Sequence, residues 1–131
     1  MTSSPTPPPS ASPSLLDRLR ALFAGSSDGR LGSTVTATRA VELVREGASL
    51  VDVREKAEWR SGHAPQAVHI PLADVEKGAR RLSKDRPVVV MCASGMRSRT
   101  GAKQLRALGF DATSVSGGIG AWQRAGGAVR R

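Results

Sequence analysis

Cys92 is the side chain best suited to chemistry in this chain of 131 residues, because it is the only thiol and it follows a strand-like run. That run, Val88 to Met91, is short, apolar and largely β-branched, as is typical of a buried parallel strand. Helical spacing of small and apolar residues extends from Gly101 to Leu108 and stops at Gly109. The segment from Cys92 to Arg97 is therefore predicted to be a loop between the carboxyl end of a strand and the start of a helix.

Such a loop is expected to stabilise a thiolate. Open α/β sheets bind ligands at the carboxyl ends of their strands, where the backbone N–H groups of a helix start converge. These groups and the helix dipole lower the pKa of a nearby thiol below its free value of about 8.5. Arg97 adds a permanent positive charge, Gly95 permits a positive φ, and Ser98 is a candidate N-cap of the helix. The alternative is that Cys92 is only a small buried hydrophobe at a strand end.

A second buried strand brings polar side chains to the same edge of the predicted sheet. Its apolar residues lie between Leu50 and Val53, and Asp52 and Arg54 stand at its carboxyl end. Because the carboxyl ends of parallel strands meet at one edge, we expect Asp52 and Arg54 to be neighbours of Cys92.

The rest of the domain predicts further strands and helices in alternation. The remaining elements are a brief strand at Val35, a helix capped by Thr36, a strand at 67–70, helical spacing at 71–82, a strand at 111–116 and a last helix carrying Ile119 and Trp122. This alternation favours an α/β fold with a mostly parallel, five-stranded sheet and helices on both faces.

The amino-terminal segment differs in composition from this domain. Residues 1–14 hold five of the eight prolines and no charged residue, which predicts a disordered tail. Residues 15–33 are predicted to form a short amphipathic helix and a flexible linker, and the apolar face could pack on the domain or meet a partner. We place the folded domain at 34–127 and a basic tail at 128–131.

Composition limits the classes of function. Hydrophobic residues make up 39% of the chain, as in a soluble globular protein, and no apolar run is long enough to span a membrane. The formal net charge is +9, but the cations are scattered and aromatic residues are only 3%, so we expect no specific nucleic-acid partner. A single cysteine rules out an intramolecular disulfide framework and favours a cytoplasmic setting.

The two histidines, His63 and His69, have no cysteine or acidic partners at metal-ligand spacing. We expect them to make structural hydrogen bonds, and we expect no metal and no cofactor.

Three motifs together resemble the rhodanese family in order and spacing. They are DVREKAEWRSGHAPQAVHIPL at 52–72, CASGMRS at 92–98 and GGIGAW at 117–122. The resemblance covers nearly the whole predicted domain and implies a single rhodanese domain whose cysteine, Cys92, carries sulfur as a persulfide. The loop residues that it implies for substrate binding are Ala93, Ser94, Gly95, Met96, Arg97 and Ser98. Asp52, Arg54 and Arg60 match motif positions that support or flank the site.

The implied activity is sulfur transfer from a small sulfur-containing anion such as thiosulfate. The Cys92 thiolate would take the outer sulfur and then pass it to cyanide, a small thiol or a protein thiol. Two other classes stay open, a non-catalytic persulfide-binding or adaptor module and a phosphatase or arsenate reductase. Four residues separate Cys92 from Arg97, one fewer than in phosphatases of related fold, and Met91 stands where those phosphatases have a histidine. Both features favour sulfur transfer.

Overall fold

A five-stranded sheet forms the centre of the computed structural model, which describes residues 30–131. The strands are β1 Thr34–Val35, β2 Ser49–Asp52, β3 Val68–His69, β4 Val88–Met91 and β5 Ala112–Val115. They lie in the order β1-β5-β4-β2-β3, and every pairing between them is parallel. This confirms the predicted α/β fold. The predicted tail at 1–14 and the amphipathic helix that follows it lie outside the described residues.

Helices cover both faces of this sheet. They are α1 Ala37–Arg45, α2 Lys56–Ser61, α3 Val75–Gly78, α4 Met96–Ala107 and α5 Gly118–Arg124. Along β4, Val89 and Met91 pack in the core that includes residues of α1 and α5, whereas Val88 and Val90 pack in the core formed with α3 and α4. Successive side chains of a strand point to opposite faces, so a strand buried on both sides is apolar throughout.

The helix α1 begins and ends close to the predicted positions, whereas α2 was not predicted and the segment 71–82 differs from the prediction. Thr36 caps α1, because its hydroxyl oxygen accepts the N–H of Arg39 at 3.1 Å, and the chain turns at Gly47 with a φ of 108°. The segment 71–82 is instead a short α3 between two 3-10 turns, Leu72–Asp74 and Ala79–Arg81. Within residues 30–131, no helix is long and apolar enough to cross a membrane.

The packed domain extends beyond both predicted boundaries. Leu31 is buried, and its N–H donates to Oδ1 of Asp111 at 2.9 Å, so the predicted linker already belongs to the fold at this residue. At the other end, the N–H of Arg130 donates to the carbonyl of His63 at 2.8 Å, and the N–H of His63 donates back at 2.7 Å. Leu31 and Arg130 therefore make tertiary contacts that the division into a linker within 15–33 and a basic tail at 128–131 did not anticipate.

Candidate active site

Cys92 lies between β4 and α4, and no part of it is exposed to solvent. The helix begins at Met96, so only residues 92–95 form the loop. Gly95 precedes the helix in the left-handed region, with a φ of 107°, where a residue with a Cβ would be strained. The prediction that Ser98 is the N-cap is therefore wrong: the glycine starts the helix earlier and leaves Ser98 buried in its first turn.

The loop surrounds the sulfur atom with hydrogen-bond partners. The N–H of Gly95 donates to Sγ of Cys92 at 3.0 Å, and Oγ of Ser98 lies 3.4 Å from the same atom. Burial, the largest influence, raises the pKa of the Cys92 thiol, but hydrogen bonds from Ser98 and from the N–H groups of Ser98, Gly95 and Ser94 more than offset it. The net effect is a lowered pKa, which favours the reactive thiolate.

A pair of buried serines lies behind the sulfur. Oγ of Ser98 is 2.6 Å from Oγ of Ser114 in β5 and 3.2 Å from the carbonyl oxygen of Gly95. A hydroxyl has one proton to donate, so Ser98 accepts from the thiol of Cys92 but donates to its thiolate, and Ser114 can then donate to Ser98. Sequence reasoning missed Ser114. The strand carries two hydroxyls, on Thr113 and Ser114, and nothing in the sequence marked Ser114 as the partner of Ser98.

Arg97 forms an ion pair with Glu58 of α2 at the rim of the loop. Nη1 and Nη2 of Arg97 donate to the two carboxylate oxygens of Glu58 at 2.7 and 2.9 Å. This hydrogen bonding lowers the pKa of Glu58 to about 2 against an opposing effect of burial, and it raises the pKa of Arg97. Arg97, the predicted contact for a substrate anion, therefore already binds a carboxylate. Glu58 stands inside the first motif, but nothing in the sequence marked it as the partner of Arg97.

Asp52 and Arg54 form a second, buried ion pair at the carboxyl end of β2. Nη2 of Arg54 donates to Oδ2 of Asp52 at 2.8 Å and to the carbonyl of Gly62 at 2.7 Å, while Nη1 donates to the carbonyl of Glu58 at 3.3 Å. Asp52 pairs in register with Met91, the residue before Cys92, at the carboxyl end of β4. The side chains of this pair contact each other and the segment around α2, so the pair supports Glu58 and, through Glu58, the rim of the loop.

The remaining predicted positions are exposed. The side chain of Arg60 is exposed on α2 and makes no hydrogen bond or ion pair with the residues described. Ala93, Ser94 and Met96 are exposed around the buried sulfur.

The two histidines stack on Trp59. Their ring centroids lie 3.6 Å (His63) and 4.6 Å (His69) from that of Trp59. Nδ1 of His63 donates to the carbonyl of Trp59, and Nε2 of His69 donates to the carbonyl of Arg54, both at 2.8 Å. Within residues 30–131, no group of three or more potential metal ligands comes together. The contacts of both histidines are thus structural.

The third motif holds the cysteine loop from the other side. The N–H of Ile119 donates to the carbonyl of Cys92 at 2.9 Å. Gly118 has a φ of 66°, and a Cβ there would overlap the carbonyl of Ala93 and lie 2.6 Å from that of Cys92. Glycine is required because the two backbones touch at this point.

Comparison with known proteins indicates the same family as the three sequence motifs. A family model described as "Rhodanese-like domain" matches residues 36–125. "Putative sulfurtransferase YtwF" of Bacillus subtilis is 45% identical over 74 residues, which are 56% of this chain and 72% of that protein. "Putative sulfur carrier protein YrkF" of the same organism is 40% identical over 65 residues, which are 50% of this chain but only 35% of that protein.

Solved structures agree with the sequence relatives. The crystal structure of a rhodanese-related protein from Thermoplasma volcanium superposes with a TM-score of 0.68 at 28% identity, and the match covers 76% of this chain and 98% of that one. The chain therefore belongs to the rhodanese-like domain family.

Proposed function

We propose that this protein is a sulfurtransferase that carries sulfane sulfur as a persulfide on Cys92. The observation that carries the proposal is the set of hydrogen bonds around Sγ, from Gly95, Ser98 and the start of α4, which favours an anionic sulfur at this point. Membership of the rhodanese-like family supplies the reaction class.

In the first step the Cys92 thiolate attacks the outer sulfur of thiosulfate. A new S–S bond forms to Cys92, the original S–S bond breaks, and sulfite leaves with the bonding electron pair. The persulfide anion that results has its negative charge on the terminal sulfur. The N–H groups of Ser94, Gly95 and Ser98 are the donors that stabilise this charge in the proposal.

In the second step an acceptor takes the terminal sulfur and releases Cys92 as a thiolate. Cyanide becomes thiocyanate, and a small thiol or a protein thiol becomes a persulfide, so no net oxidation or reduction occurs. The cycle needs neither a cofactor nor a general base. It does need Cys92 to return to the reduced form, which fits a cytoplasmic location.

The donor has to reach a sulfur atom that solvent does not touch in this conformation. Arg97 and Glu58 are each about one-third exposed at the rim, with 34% and 35% of their side chains accessible. We assign Arg97 the role of anion contact after it exchanges Glu58 for the donor. Ala93, Ser94 and Met96 form the rest of the entrance.

A panel of reactions tests this function. We expect thiosulfate-to-cyanide transfer by the wild type, loss of that transfer in a folded Cys92→Ser variant, and no hydrolysis of an aryl phosphate by either. Full transfer by the serine variant would contradict the role of Cys92. Phosphate release without sulfur transfer would favour the phosphatase alternative, and inertness toward all substrates would favour the adaptor alternative.

A further inference from the structure

Positive charge is distributed unevenly along the described chain. Residues 34–85 contain nine Lys or Arg and eight Asp or Glu, so their charges nearly balance. Residues 86–131 contain eight Lys or Arg and a single acidic residue, Asp111, whose Oδ1 accepts the N–H of Leu31. The part of the chain that holds Cys92 and α4 therefore carries almost all the net charge of the domain.

One face of α4 concentrates this charge next to the sulfur loop. Met96, Arg99, Lys103 and Arg106 recur at helical spacing on that face, and α4 has no acidic residue. Met96 is 72% exposed. Arg99 and Lys103 are also exposed, and neither makes an ion pair within residues 30–131. We call these four residues the cationic face.

Two shallow cavities run from the cationic face to the loop that holds Cys92. A cavity of about 250 Å³ is lined by Ser33, Arg99, Thr100, Lys103 and Arg106. A second of about 170 Å³ shares Arg99 and reaches Met96, Ser94 and Gly95, the residue whose N–H donates to Sγ of Cys92. Since a helix rises 1.5 Å per residue, the face extends roughly 15 Å away from the loop.

We infer that the sulfur acceptor is a protein thiol flanked by acidic residues, which docks along the cationic face. The inference rests on the proposed function. A surface about 15 Å long with unpaired cations is much larger than a small anion and is complementary to a short acidic segment. Met96 adds a flexible apolar contact where the acceptor thiol would arrive.

A nucleic acid fits this surface less well. Single-stranded nucleic acids bind where aromatic side chains stack with bases beside a basic groove. The cationic face has no aromatic residue, Phe110 and Trp122 are buried, and Trp59 is stacked between two histidines. The favoured occupant is therefore an acidic protein segment.

The docked acceptor completes the second half of the sulfur cycle. Its thiolate attacks the terminal sulfur of the Cys92 persulfide, a new S–S bond forms on the acceptor, and Cys92 leaves as a thiolate with the electron pair. One sulfur atom moves, and no oxidant or reductant is consumed.

The test begins with the full chain loaded with sulfur from thiosulfate, and mass spectrometry verifies the added sulfur atom. Two synthetic peptides then serve as acceptors, each with one cysteine, one followed by glutamates and the other by glutamines. We expect a preference for the acidic peptide that weakens as salt is added. A chain that takes no sulfur from any donor contradicts the proposed function, whereas a loaded chain that shows no salt-dependent preference overturns only the present inference.

Charge reversal identifies the surface responsible. For each variant we compare the rate of sulfur transfer to the acidic peptide with the rate to the neutral peptide, as a ratio. A ratio is needed because glutamates also change the reactivity of the peptide thiol itself. We expect this ratio to fall about tenfold in Arg99→Glu/Lys103→Glu at low salt. The matched variant Lys77→Glu/Arg80→Glu makes the same charge change on and after α3, and it should keep the wild-type ratio.

Two outcomes overturn the assignment of this surface. Equal falls in both double variants would show that net charge alone, and not the cationic face, selects the acceptor. If a tRNA mixture blocks transfer by the wild type but not by Arg99→Glu/Lys103→Glu, while both peptides react equally, the face binds nucleic acid instead.

Discussion

Two ion pairs flank the sulfur loop, and they differ in burial. The side chains of Asp52 and Arg54 are 0% and 6% exposed, whereas those of Glu58 and Arg97 are 35% and 34% exposed. Both pairs are closely hydrogen bonded, with N···O distances of 2.8 and 2.7 Å. The buried pair is enclosed by backbone carbonyls, and the rim pair faces solvent beside the covered thiol.

This difference in burial indicates that the buried pair positions the structure around the site, whereas the rim pair controls access to Cys92. Breaking a buried pair leaves an uncompensated charge in the protein interior, while an exposed pair can exchange partners at little cost. The buried pair therefore fixes the end of β2 and the segment around α2. We expect the rim pair to be the part of the site that opens without unfolding of the domain.

The largest effect is expected from Asp52→Asn, which keeps the shape of the side chain but removes the charge that compensates Arg54. We expect the free energy of unfolding to fall by about 3–5 kcal/mol. Chemical denaturation measures it, with Glu58→Gln as the matched control at the rim. In that control the free energy of unfolding should fall by less than about 1 kcal/mol. Equal losses in the two variants would remove the distinction between the pairs.

Gly118→Ala tests whether the cysteine loop is as firmly fixed as the buried pair. The added Cβ would overlap the Ala93 carbonyl, and a positive φ strains any residue with a Cβ, so we expect a loss of about 1–3 kcal/mol and slower sulfur transfer. Gly120→Ala on the same helix meets only the end of the Arg124 side chain, at 3.3 Å, and serves as the control. If both variants behave alike, the contact with the loop has no special role.

Ser98→Ala sharpens the comparison at the sulfur itself. Loss of the hydroxyl removes the largest contribution that lowers the pKa of the Cys92 thiol, so we expect the pKa to rise and alkylation at neutral pH to slow several-fold. The rate of iodoacetamide labelling against pH reports this. An unchanged titration would mean that the backbone N–H groups alone hold the thiolate.

The smallest effect concerns the rim pair and pH. Folding lowers the pKa of Glu58 from its usual 4.5 to about 2, so the pair contributes stability above pH 4.5 and loses it as the pH falls toward 2. The wild type should exceed Glu58→Gln by less than about 1 kcal/mol near neutral pH, because the pair is exposed. Unfolding curves of both proteins from pH 7 to 2 measure the difference. If the difference in free energy of unfolding between the two proteins grew as the pH fell, the lowered pKa of Glu58 would be contradicted.

The sequence predicted the sheet and the cysteine loop well because their signals are local. The apolar run Val88 to Met91 and the helical spacing after it identified the strand, the loop and the helix that place Cys92. The start of α4 was misplaced, since the left-handed conformation of Gly95 cannot be read from residue types alone. Boundaries of this kind depend on backbone geometry.

The missed parts of the site depend on contacts between distant residues. Glu58 is 39 positions from Arg97, and Ser114 is 16 positions from Ser98, so neither pairing leaves a local pattern. Leu31 and Arg130 likewise join the domain through tertiary contacts that composition did not reveal. Sequence periodicity predicted the strands and most of the helices, but not α2, and the contacts between distant residues are visible only in the folded structure.

The most direct test of the central claim is the mass of the intact protein after treatment with thiosulfate and no acceptor. With a single thiol, the chain has no second cysteine to resolve its persulfide, so sulfur should stay on the protein. We predict release of one sulfite per chain and the gain of one sulfur atom, located on the peptide that contains Cys92 and removed by cyanide. A protein with a reduced, reactive Cys92 that stays unmodified by every sulfane donor would contradict the account.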